Sequence, residues 1–229
     1  MINNSKIFKF NDLADYIFYL SEIIIDLIQK KERLEKCRNN ISEIIRLNPS
    51  SNCIDSVFYD SISDRANRLI QYISNLIGDE SKKAVSYKKF RKLLYKQRTL
   101  LEITIDDLSS EEKQSLGEFN TLRNWSLHIP ESIFIQKKDF FKMDSKFIMS
   151  EQCTITVPTY DNFELEFLIK MKDELNDFLS ETDIIFERMK KDYSALIGKP
   201  FTIKYESNIV KPYFFMEAVE KSWNVQKGK

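Results

Sequence analysis

From Phe10 to Ile45, apolar residues recur at Phe10, Leu13, Ile17, Leu20, Ile24, Leu27, Leu34, Ile41 and Ile45. The spacing alternates three and four, as in a helix that presents a narrow apolar seam to other long helices. This stretch constrains the chain most, because a seam of that length has to be buried against partners of similar length. Lys31 and Arg38 also fall in the seam, which makes it a bundle helix more than a strict zipper. Asn48-Pro49 ends it, since the residue before a proline is pushed out of helical geometry.

Two further stretches supply partners. A helix fits Asp55 to Ile77, with Phe58, Ile62, Leu69, Ile73 and Leu76 on one face and Gly78 as its stop. A longer one carries Leu165, Leu168, Leu175, Leu179, Phe186, Met189 and Leu196, and is stopped by Gly198 and Pro200. Only 4 glycines and 5 prolines punctuate the 229 residues, so the elements should be long and a many-stranded β fold is disfavoured. Short connections make long helices antiparallel neighbours. The expected fold is therefore all-α, an up-and-down bundle of long helices, with one or two short β-strands in the C-terminal third.

Those strands are expected at Gln152–Val157 and Phe201–Tyr205, rich in β-branched and aromatic residues. They can pair if the intervening helix breaks near Ser180-Glu181-Thr182-Asp183. Shorter helices are expected over Glu131–Met143 and Tyr213–Trp223. No repeat, low-complexity linker or clear boundary divides the chain. It reads as a single helical domain over 1–229, with a core at about 10–150, a long helix at about 162–197 and a C-terminal extension over 200–229.

Thirty-five basic and 35 acidic residues give zero formal net charge, so any nucleic-acid binding must be local. The three cysteines, Cys37, Cys53 and Cys153, are far apart and odd in number, which suggests reduced thiols in a cytoplasmic protein. The N-terminus does not lead into a signal peptide, and no apolar run has the length of a membrane span. There is no glycine-rich phosphate loop and no His/Cys cluster for zinc, so neither a cofactor nor a metal is expected.

One segment is locally basic. Lys82, Lys83, Lys88, Lys89, Arg91, Lys92, Lys96 and Arg98 lie between Ser81 and Arg98 with no acidic residue among them. Tyr87, Phe90, Leu93, Leu94 and Tyr95 give the same stretch an apolar side. Such a helix can guide a polyanion, since clustered cations attract phosphate and release counterions. It can equally be a solvated face balanced by Glu102, Asp106, Asp107, Glu111 and Glu112.

The densest chemistry follows. Ser109 and Glu112 have capping-box spacing, so a helix starts there. At about 100° per residue, Phe119, Leu122, Trp125 and Ile129 should face the core. Asn120, Asn124 and His128, spaced by four, should form a polar stripe on the other side, with Gly117 beside it and Arg123 at its flank. His128 is the only histidine. Pro130 places it in the last turn, where the helix dipole favours its protonated form.

Arg123-Asn124-Trp125-Ser126-Leu127-His128 resembles the Arg-x4-6-His signature of the HEPN superfamily (higher eukaryotes and prokaryotes nucleotide-binding domains), helical bundles in which a polar residue commonly follows the arginine. The resemblance implies a metal-independent endoribonuclease of the kind found in toxin–antitoxin, phage-defence and RNA-guided systems. It implies that His128 handles protons as the RNA 2′-hydroxyl attacks the adjacent phosphate, that Arg123 stabilises the phosphoryl charge, and that Asn124 orients phosphate or histidine. With one histidine per chain, it further implies a homodimer in which two motifs share one cleft and Gly117 permits close helix approach. RNA is then a partner, along with an antitoxin or regulatory protein. A non-catalytic module that binds RNA, nucleotide or protein through the same face stays open beside the enzyme. So does a structural bundle with Arg123 and His128 in local caps.

Overall fold

The computed structural model describes residues 10, 12–48, 52–81, 85–127, 135 and 159–206. Their frame is helical, as the seam requires. Five helices are described: α1 (Leu13–Leu47), α2 (Ser56–Gly78), α3 (Tyr87–Gln97), α4 (Ser110–Leu127) and α5 (Leu165–Ile197). α1 packs chiefly on α5 and α2, α4 lies across α2 and α5, and α3 leans on α2 and α1. None of these helices is long and apolar enough to cross a membrane.

Local chemistry sets the helix ends. The Asp12 carboxylate accepts the Asp15 N–H at the start of α1, and Asp55 does the same for Phe58 at the start of α2. Asn48 closes α1 by donating from both its backbone and its side chain to the Ile44 carbonyl. Gly198 ends α5 in the left-handed region at φ 69°, a conformation glycine adopts without steric penalty.

The core is the seam and its partners. Leu20, Ile24, Leu27, Leu34 and Ile41 of α1 are buried among Ile73 and Ile77 of α2 and Leu168, Leu175, Ile185 and Met189 of α5. The two polar seam residues are matched. Lys31 reaches Asp183 at 2.5 Å and Arg38 reaches Asn176 at 3.5 Å. Seven residues forward on α1 correspond to seven backward on α5, so the two helices run antiparallel with a shared heptad register.

The strands differ from expectation. α5 is unbroken through Ser180–Asp183, and residues 201–206 form no strand. The one described sheet instead joins β1 (Cys53–Asp55) to β2 (Asn162–Glu164), antiparallel, with Ile54 opposite Phe163. Its ladder continues into the helix starts, where Ser56 N–H donates to Asp161 O at 3.0 Å and Leu165 N–H to Asn52 O at 2.9 Å. These bonds occupy N–H groups at the first turns of α2 and α5 that have no partner inside a helix. The strand at Gln152–Val157 and the helix at Tyr213–Trp223 lie outside the described residues, as does Glu131–Met143 apart from Ile135.

Candidate functional site

Helix α4 carries Arg123 to Leu127 of the motif, and its placement begins with the capping box. Ser109 N–H donates to the Glu112 carboxylate at 2.8 Å, and Glu112 N–H to Ser109 Oγ at 3.0 Å. Ser115, Leu116 and Phe119 are buried on the next turns, and the Phe119 ring meets Phe178 edge-on at 5.4 Å. At Phe119 and Asn120 the helix rests directly on Gly78, the last residue of α2. A Cβ there would stand 2.6 Å from Asn120 N and 2.7 Å from the Phe119 carbonyl carbon. Only a bare Cα permits this approach. Gly117, by contrast, has nothing within 4 Å of where its Cβ would be.

Arg123 comes one turn later. Its side chain is about one-fifth exposed, with Nη2 3.3 Å from Asp79 Oδ1 and Nη1 donating to Asn124 Oδ1 at 2.9 Å. Asp79 is itself held. Its Oδ1 accepts the Ser81 N–H at 2.7 Å, and its carbonyl accepts the hydroxyl of Ser86, the N-cap of α3. One residue thus joins the end of α2, the start of α3 and the motif arginine.

The core face expected of α4 is corrected beyond Phe119. Leu122 is 42% and Trp125 60% exposed. The reason is geometric: Gly78 is the end of α2 and Arg123 meets Asp79 just past it, so no further turn of α2 exists to cover them. Asn120 is half-buried where its backbone meets α2, while Asn124, one turn on, is exposed. Ile129, Pro130 and His128, the third member of the stripe, lie outside the described residues.

The basic segment divides. Tyr87, Phe90, Arg91 and Leu94 form the buried stripe of α3, and Arg91 is only 4% exposed. Its guanidinium pairs with Asp192 of α5 and donates to the Asp106 carbonyl. Arg91 is therefore a core residue and not one of the cations that α3 could offer to a polyanion. Lys88 pairs with Glu80 at 3.4 Å, Lys89 Nζ donates to Ser81 O at 2.9 Å, and Arg98 folds over the Tyr95 ring at 3.6 Å. Lys92 and Lys96 are exposed. Lys82 and Lys83 lie outside the described residues.

Arg91 belongs to a cluster that periodicity alone did not single out. Asp192, 1% exposed, accepts from Tyr87 Oη at 2.7 Å and from Arg188 Nε at 3.0 Å. Arg188 Nη2 also donates to Asp106 O at 2.7 Å, and Nη1 lies 3.9 Å from Glu112. Two buried cations face two carboxylates, and the carbonyls of the loop before α4 complete the guanidinium bonding, as buried charges require. Burial, and then the Asp192 carboxylate, push the Tyr87 hydroxyl well above its ordinary pKa near 10. A signal existed: Arg91 falls four residues after Tyr87 and three before Leu94, on the apolar stripe itself.

Among the described residues, no group of three His, Cys, Asp or Glu side chains gathers as a metal site would require. What the geometry offers is a guanidinium fixed at two nitrogens on a helix end, with exposed apolar side chains beside it. No protein-family model, curated protein or solved structure matches the chain.

Proposed function

We propose that this protein is a cytoplasmic, metal-independent endoribonuclease of HEPN type, acting as a homodimer in a toxin or defence setting. The observation that carries the reading is the fixed Arg123 guanidinium, bonded to Asn124 and Asp79 where α4 passes the end of α2. A planar guanidinium matches a phosphate whose charge grows in the transition state. His128 of one copy takes the 2′-hydroxyl proton as the O2′–P bond forms. His128 of a second copy gives a proton to O5′ as the P–O5′ bond breaks, leaving a cyclic phosphate and a 5′-hydroxyl. Exposed Leu122 and Trp125, within two residues of Arg123, are suited to the contact between copies.

The test is cleavage of mixed RNA in EDTA. Wild type should cut, and His128→Ala and Arg123→Ala should not while remaining folded by circular dichroism. An inactive wild type, or equal cutting by His128→Ala, sinks the enzyme.

A second reading is favoured by the same ion pair, since a carboxylate against Arg123 offsets part of its charge. The protein is then a binding module that holds RNA or a partner without turnover. It predicts salt-sensitive binding whose log–log slope falls by about one for each of Lys92 and Lys96 changed to alanine.

A further inference from the structure

Resting on the ribonuclease reading, we infer that Asp79 is a positioning residue that sets Arg123 in its working orientation and couples it to the basic helix α3. Three observations lead there. Asp79 Oδ1 lies 3.3 Å from Arg123 Nη2 while Asn124 Oδ1 accepts from Nη1 at 2.9 Å, so the plane of the guanidinium is held at two nitrogens. The carboxylate is fixed independently by the Ser81 N–H at 2.7 Å, so it is a rigid post and not a second mobile side chain. The Asp79 carbonyl accepts the Ser86 hydroxyl, and Ser86 Oγ in turn accepts the Lys89 N–H at 3.3 Å, which ties the first turn of α3 to the same residue.

An arginine side chain has four rotatable torsions and loses much rotamer freedom when it grips a phosphate. Ordering it beforehand moves that loss out of the reactive step. A carboxylate so close also lowers the net positive charge offered to phosphate, which by itself would slow the reaction. The two effects have opposite signs on rate, so the sign of the Asp79 effect decides between a positioning post and a restraining latch.

The experiment is steady-state cleavage of a fluorophore-labelled single-stranded RNA in EDTA by the full-length wild type, Asp79→Ala and Asp79→Asn, each checked for melting temperature and dimer mass. Asp79→Ala should lower kcat by about tenfold to thirtyfold, near the rate equivalent of one arginine's rotamer freedom. KM should stay within about twofold, because the row on α3 still supplies the phosphate attraction. Asp79→Asn keeps an oxygen for both the Ser81 and Arg123 donors and should retain most of kcat. In an Arg123→Lys background, Asp79→Ala should cost little more, since Asp79 acts through the arginine. A folded Asp79→Ala enzyme with unchanged or raised kcat overturns the inference and leaves the ribonuclease reading standing. A wild type that cuts nothing overturns both. Should Asp79→Ala not fold, Asp79→Asn decides: retention of most of kcat in wild type supports the inference, and a loss of about tenfold or more that is equal in the wild-type and Arg123→Lys backgrounds overturns it.

Discussion

Gly78→Ala gives the most exacting test of how the motif helix is seated. The new Cβ would stand 2.6 Å from Asn120 N and 2.7 Å from the Phe119 carbonyl carbon, where ordinary contact begins at 3.4 Å. The shortfall of about 0.8 Å is against backbone, so no rotamer change relieves it and α4 itself must move. Overpacking of this kind costs about 1–3 kcal/mol. The helical backbone of α2 returns at most about 1 kcal/mol, the gain of alanine over glycine in a helix. The net expectation is a loss of up to about 3 kcal/mol. Gly117→Ala is the internal control, with the same propensity gain and open space around its Cβ, so it should stabilise by about 0.5–1 kcal/mol. Urea unfolding followed by far-ultraviolet circular dichroism would place Gly117→Ala above wild type and Gly78→Ala below it, at unchanged m-value. A Gly78→Ala protein as stable as Gly117→Ala would refute the close seating of α4 on α2.

Three further outcomes are expected. Asp192→Asn leaves the Arg91 and Arg188 guanidiniums buried without their shared charge, and should lower unfolding free energy by about 3–5 kcal/mol; a change below about 1 kcal/mol would show that the cluster is hydrated. The Tyr87 pKa is raised on folding, so its contribution to stability is complete below about pH 10 and is lost as pH rises through the higher folded value. Stability measured by denaturant from pH 9 to 12, roughly that range, should therefore fall, and Tyr87→Phe should fall less steeply. Burial pushes the Cys37 thiol up and shields it, whereas Cys53 is exposed. In a Cys153→Ser background one thiol should react with a disulfide reagent at once and the second only at the unfolding rate, and rapid reaction of both would contradict the packing of α1.

What could be read beforehand was whatever is written along one helix. The α1 seam, the Asn48 and Gly198 stops and the Ser109–Glu112 box depend on residues at most four apart, and each stands where its pattern put it. The features that seat the site depend on pairs far apart in sequence. Asp79 meets Arg123 across a helix junction, and Asp192 gathers Tyr87, Arg91 and Arg188 from two helices. Periodicity assigns Leu122 and Trp125 to the core because it carries no information on which turn of α4 meets the end of α2. It took Gly78 for a stop, when its lack of a side chain is also what admits α4. Three-residue strands such as Cys53–Asp55 are too short to alternate visibly, and their pairing serves the helix starts they precede.

The pairing of Lys31 with Asp183 and of Arg38 with Asn176 bears on how the chain finds its shape. Long amphipathic helices that meet early are prone to dock one heptad out of place, because Leu and Ile fit many holes nearly as well. Sliding α5 by seven residues one way would bring Lys190 against Lys31 and Asp183 against Arg38, so one repulsion replaces the Arg38–Asn176 hydrogen bond while the ion pair only changes its cation. Sliding it the other way would bring Asn176 against Lys31 and Ile169 against Arg38, so the Lys31–Asp183 ion pair and the Arg38–Asn176 bond are lost while Arg38 keeps its bonds to Asn39. Both errors are penalised electrostatically or by lost solvation. Two polar residues in an otherwise oily seam thus favour the observed alignment of α1 and α5 over the two that lie one heptad away.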